Sequence, residues 1–144
     1  MRIHHIGIAV SSLAEASPVF ELLLGKPPGS EEIVRDQKVR VRSFPLGSSS
    51  IELLEAASPD SPIARSIARR GAGVHHVTLE VKDLRRTLAR LAAHGVRLID
   101  MEPRRGAGNT KIAFVHPSSA GGVLVELIEE RTGHRKRRRK EGSR

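Results

Sequence analysis

Hydrophobic and polar positions alternate over residues 3–10: Ile6, Ile8 and Val10 take one parity, and His5, Gly7 and Ala9 take the other. A period of two predicts a strand. The period then lengthens. Leu13, Ala16, Phe20 and Leu23 fall at helical spacing over 13–24, with Ser11 or Ser12 as a cap. Pro18 within that stretch predicts a kink or an early break. Strands are predicted over 31–35, 39–46 and 49–55, beside the turn signals "KPPGS" and "LGSSS". Ser61 caps a short helix with Pro62 in its first turn, closed by Gly71 and Gly73. A strand at 74–81 and a helix at 83–94 follow, with Leu84, Leu88 and Leu91 on one helix face and Gly95 ending it. Strands are predicted near 96–100, 110–116 and 122–129.

The pattern repeats. "HHIGIAV" at 4–10 returns as "HHVTLEV" at 75–81, so that His5, Ile8, Val10 and Leu13 fall on His76, Leu79, Val81 and Leu84 at a constant offset. "SIELLE" at 50–55 returns as "LVELIEE" at 124–130, which pairs Glu52 with Glu126. Similar offsets at both ends argue for a duplicated module. The predicted order is βαβββ twice. The fold class is α+β: two paired βαβββ modules forming one curved, metal-binding sheet. Module one spans about 1–57, a linker helix about 58–72 and module two about 73–130, together a single domain over 1–130.

Composition narrows the chemistry. The chain has 144 residues and no cysteine, which excludes disulfides and thiolate metal sites. Three phenylalanines are its only aromatics of the Phe, Trp and Tyr type, too few for stacking on nucleic-acid bases. No apolar run approaches the roughly 18 residues of a membrane span. The strand pattern begins at Ile3, leaving no room for a signal or transit peptide, so a cytoplasmic protein is expected. The net charge of +9 is uneven. Residues 131–144, "RTGHRKRRRKEGSR", carry +7, leaving only +2 on 1–130. With no apolar residue to bury, that tail is expected to be disordered. It could contact nucleic acid non-specifically, or serve only solubility.

Strand parity places the chemistry. His5, Glu52, His76 and Glu126 each oppose the uniformly apolar side of their strand. A lone strand histidine is usually packed or exposed, and a lone glutamate is usually solvated. Here four such residues occupy symmetric positions with one parity, and paired modules would let them converge. Two imidazoles and two carboxylates suit a borderline divalent metal: cobalt, nickel, zinc or manganese. His4 and His75 fall on the apolar parity and read as structural or supporting residues, unless the register slips by one.

At these residues the chain resembles the methylmalonyl-CoA epimerases, of the vicinal oxygen chelate superfamily that also holds glyoxalase I. The resemblance covers about 3–129. It is carried by "HHIGIAVSSL", by "DSPIA" with "AGVHH", and by "HPSSAGGVLVEL". It implies paired βαβββ modules, a metal-dependent isomerase usually working as a homodimer, and metal ligands at His5, Glu52, His76 and Glu126. The implied reaction interconverts (2R)- and (2S)-methylmalonyl-CoA, in propionyl-CoA metabolism. Cobalt is the first metal to expect. Glu126 is the candidate catalytic residue, doubling as a ligand. Some members carry a second carboxylate on the strand that here reads "KVRVRS" (38–43), and this chain has none there. Glu52, a bound water or His116 stands open for the second proton transfer. Arg40, Arg42, Arg104, Arg105 and Lys111 are candidate cations for the CoA phosphates. "RRGAGN" at 104–109 lacks the Gly-Lys-Ser/Thr ending of a phosphate-binding P-loop. The rival readings are a glyoxalase-type isomerase, or another superfamily enzyme, on the same metal, and a non-catalytic binding module working through its tail.

Overall fold

The computed structural model describes residues 1–130; the expectation for the basic tail lies outside the described residues. The chain divides into two compact units. One comprises 5–75, and the described part of the other comprises 1–4 and 76–130. Both divisions fall inside a doubled histidine, between His4 and His5 and between His75 and His76. Each unit therefore takes one histidine from each pair.

In the 5–75 unit, the 5–9 part of β1 (Arg2–Ala9) leads into α1 (Leu13–Leu24), then β2 (Glu31–Val34), β3 (Val39–Leu46), β4 (Ser49–Ala56) and α2 (Pro62–Arg70). The strands run in the order β2-β3-β4-β1. The β1–β4 pair is parallel and the others are antiparallel. Helix α1 covers one face, where Leu13, Ala16, Phe20 and Leu24 meet Ile8, Val10, Phe44, Ile51 and Leu53. Period two puts Ala9, Val39, Val41 and Leu54 on the opposite face, where Ile63 and Ile67 of α2 close over them. The sequence reading assigned helix packing to one face alone; α2 supplies it on part of the second.

The cap readings hold. Ser12 accepts the Glu15 N–H, Ser61 accepts the Ile63 N–H, and Pro62 opens α2 where its missing N–H costs nothing. Helix α1 does not break early at Pro18. It runs on to Leu24, and Gly25 closes it in the left-handed region at φ 65°. Pro18 is exposed, and so is Ala14, whose carbonyl loses its helical donor, so water can take the bond.

In the other unit, the 76–80 part of β5 (Gly73–Glu80) is followed by α3 (Leu84–Ala93), β6 (Arg104–Arg105), β7 (Lys111–Val115) and β8 (Val125–Glu129). The order is β5-β8-β7-β6, with β5 parallel to β8. Asp83 caps α3 by accepting the Arg86 N–H. Leu84, Leu88 and Leu91 pack on Leu79, Val81, Ala113, Val115 and Leu127. Two strand expectations are corrected here. Residues 96–100 form no strand, only an isolated bridge from Leu98 to Val115. The Arg97 N–H goes to Ser119 Oγ, and the Ile99 and Asp100 N–H groups share the Phe114 carbonyl, so no ladder is left to extend. The edge strand is Arg104–Arg105 instead. The last strand begins at Val125 rather than 122, because Gly121 and Gly122 turn the chain at positive φ. Among the described residues no helix is long and apolar enough to cross a membrane.

Candidate metal centre

Each unit builds one histidine–glutamate pair in the same way. In the 5–75 unit, the parallel β1–β4 register sets His5 opposite Ser50 and Gly7 opposite Glu52. His5 and Glu52 share a face, and Nε2 of the imidazole lies 3.1 Å from Glu52 Oε2. His5 is 6% exposed, whereas the Glu52 side chain keeps 24% of its surface open. A buried imidazole is so held against a carboxylate that solvent still reaches.

The other unit repeats this on β5 and β8. Thr78 stands opposite Glu126, and His76 Nε2 lies 3.5 Å from Glu126 Oε2. His76 and Glu126 are 7% and 8% exposed. The ring of Phe114 meets His76 edge-on, with centroids 6.3 Å apart and planes at 87°. Phe114 is also the cross-strand partner of Glu126. An aromatic wall thus fixes the imidazole on the side of its own carboxylate.

The histidines of opposite parity do other work. His4 Nε2 sits 2.5 Å from Glu130 Oε1. Burial pushes the His75 pKa down, with the Arg70 charge adding to the effect. The one-residue register slip therefore does not occur: within each unit it is His5 and His76 that face Glu52 and Glu126.

A second repeated feature escaped the sequence reading. Glu55 accepts the Leu13 N–H at the start of α1, and Glu129 accepts the Leu84 N–H at the start of α3. The signal was present in "ELLE" and "ELIE". Residues three apart on a strand point to opposite faces, so one glutamate goes to the imidazole and the next to a helix start. Four of the five candidate cations also point elsewhere. Arg42 meets Glu31 and Ser17, Arg40 meets Glu31 and Glu55, Lys111 meets Glu129, and Arg105 meets Asn109. Only Arg104 shares the face of His76 and Glu126, as its pairing with Ile112 and its place over the Phe114 ring require. His116 holds its own turn: its Nδ1 accepts the Ser118 N–H.

His5 in one unit, and His76 and Glu126 in the other, are buried residues of the types that ligate divalent metal ions. Glu52, beside His5, offers a carboxylate oxygen as Glu126 does beside His76. Imidazole and carboxylate donors fit such an ion chemically, and the deeply buried donors are the ones that would need its charge.

Comparisons with known proteins bear on this set. The family described as Glyoxalase/Bleomycin resistance protein/Dioxygenase superfamily matches residues 4–114. "Uncharacterized protein YqjC" of Bacillus subtilis is 42% identical over 128 residues, covering 89% of this chain and 91% of that protein. The mitochondrial methylmalonyl-CoA epimerase of Bos taurus is 35% identical over 127 residues, covering 88% and 73%. Among solved structures, Streptomyces coelicolor methylmalonyl-CoA epimerase in complex with 2-nitronate-propionyl-CoA superposes with a TM-score of 0.84 at 33% identity, covering 92% of this chain and 96% of that one.

Proposed function

The chain belongs to the methylmalonyl-CoA epimerase family of the glyoxalase/bleomycin resistance protein/dioxygenase superfamily, and from that membership we propose that it interconverts (2R)- and (2S)-methylmalonyl-CoA by moving the proton at C2. The observation that carries the reading is the repeated pair, His5 with Glu52 and His76 with Glu126, each on parallel strands of its own unit. In this reading the four residues hold one divalent cation. Bound there, the ion supplies Lewis-acid stabilisation of the negative charge that develops on the substrate oxygens. Cobalt is the ion to load first, as a borderline metal matched to mixed imidazole and carboxylate donors.

The chain's own groups move the proton. C2 of the substrate lies between a thioester carbonyl and a carboxylate, so losing its hydrogen leaves an enolate. Epimerisation needs a proton taken from one face of that plane and returned to the other. Glu126 is assigned one transfer. Glu52 is assigned the other, because the duplication makes it the counterpart of Glu126 and because His116 is engaged with Ser118. The strand "KVRVRS" offers no carboxylate for the task. A homodimer belongs to the same reading, supported by exposed Val19, Leu22 and Leu23 on the outer side of α1; light scattering at twice the 15.7 kDa chain mass checks it. A cytoplasmic setting is proposed with it, since a phosphate-bearing thioester does not cross membranes unaided.

The test is incubation of cobalt-loaded protein with one epimer in D₂O, against a no-enzyme control. Deuterium entering C2 together with the other epimer is expected. No exchange above the control would overturn the reading. His76→Ala is expected to lose stoichiometric cobalt and to lower turnover about a hundredfold or more, while its melting transition stays cooperative. Full activity without bound cobalt would remove the metal from the mechanism.

A further inference from the structure

Arg104 is built as a receptor. It lies on β6, the edge strand of its unit, in register with Ile112. Its guanidinium carbon sits 5.4 Å from the centroid of the Phe114 ring, so the cation stacks on the side chain that meets His76 edge-on. Its Nε lies 3.1 Å from Asp100 Oδ1. The other oxygen of Asp100 accepts the Phe114 N–H at 2.8 Å. One carboxylate therefore orients both the arginine and its stacking platform. The loop behind packs closely: a Cβ at Gly106 would meet Thr110 Oγ1 at 2.6 Å and Ile112 Cγ2 at 2.7 Å, so a larger residue there would push those side chains aside.

The anchoring uses Nε and leaves the outer edge open. Among the described residues Nη1 and Nη2 form no hydrogen bond, and half of the side chain is exposed. A planar fork with two parallel donors matches an oxyanion bidentately. Stacking and the Asp100 contact hold the side chain in place before an anion arrives, so little freedom is lost on binding.

We propose that Arg104, stacked on Phe114 and aimed by Asp100, receives a phosphate group of the substrate's CoA moiety. This rests on the epimerase reading, which assigns the malonyl carboxylate and the thioester carbonyl to the histidine–glutamate set and leaves the phosphates as the substrate's remaining anions. Placement agrees. Arg104 stands two strands from Glu126 within the unit, on the same face and at the open edge. Its position on the edge strand leaves it open on the side away from the strand that carries Glu126, where the longer part of the substrate can extend.

The experiment compares methylmalonyl-CoA with the methylmalonyl thioester of N-acetylcysteamine, which carries no phosphate, on wild type and Arg104→Gln. The variant is expected to raise KM for the CoA ester about tenfold, the loss of about one good charged contact, with kcat nearly unchanged and KM for the short thioester unmoved. Arg104→Lys should recover part of the loss. Free CoA, titrated calorimetrically into protein without added metal, should bind the Gln variant correspondingly more weakly. Equal losses on both thioesters, or a fall in kcat at constant KM, would overturn the proposal, because they would place the arginine at the acyl group or behind His76. If wild type turns over neither thioester, the epimerase reading fails, and the CoA titration still decides the arginine.

Discussion

Single carboxylates in this chain are specialised by what lies within hydrogen-bond reach. Glu52 and Glu126 face imidazoles, Glu55 and Glu129 receive helix N–H groups, and Asp100 aims an arginine. Asp60 is the case with the clearest pH signature. The Lys38 ammonium and the Ser58 hydroxyl both donate to it, and together they lower its pKa from 3.8 to about 2. That contact ties the start of β3 to the β4–α2 connection. The unfolded chain binds the proton first as pH falls, so the contribution is full above about pH 4 and is lost as pH drops towards 2. The group is fully exposed, so the effect is small. Asp60→Asn is expected to lower Tm by about 1–3 °C at pH 7. The gap to wild type should close in scans between pH 4 and pH 2. A gap that stays constant down to pH 2 would mean that the carboxylate charge is not what stabilises the turn.

Elements were legible where periodicity and caps agreed. Helices α1 and α2 carried their Ser caps in the sequence and α3 its apolar stripe, whereas the Asp83 cap was missed and Leu24 packs where Leu23 had the helical spacing. The strand parity of His5 with Glu52 and of His76 with Glu126 survived within each unit. The stretch 96–100 failed because an alternating pattern shows where side chains point and says nothing of where the backbone donors go. Those donors go to Ser119 and to a single carbonyl. The partners of Arg40 and Arg42 were not legible for a related reason: only the β2–β3–β4 register sets both beside Glu31 and on the α1 side. Pro18 shows a local rule outweighed by context. The contacts of Leu13, Ala16, Phe20 and Leu24 hold α1 together on both sides of it. Its cost is still stored there, so Pro18→Ala is expected to stabilise the protein by about 1–2 kcal/mol. The restored helical bond and propensity offset the looser unfolded chain. Urea unfolding at constant m-value measures it, and no gain would mean that α1 already deforms around the proline without strain.

At the scale of the whole molecule, charge separates from chemistry. The repeated pairs lie within 1–130, which carries a net charge of only +2, while 131–144 carries +7. If catalysis belongs to the first stretch alone, a chain truncated after Glu130 should keep kcat/KM for methylmalonyl-CoA within about twofold at 0.15 M salt, where charges more than about 8 Å apart are largely screened. The two chains should part at low salt. A polyanion such as a short DNA duplex should bind the full chain with log K falling steeply against log salt, at a slope of about −6 if all the excess cations engage phosphates, and should bind the truncated chain hardly at all. The substrate is itself an anion, so below about 20 mM salt the tail should also raise its association rate without changing turnover. A truncated enzyme that loses turnover at 0.15 M salt would contradict this division and place part of the tail at the reacting groups. Unchanged polyanion binding after truncation would place the cationic surface on the folded body instead, where Lys82, Arg86 and Arg90 line an open cleft of about 520 Å³ beside α3.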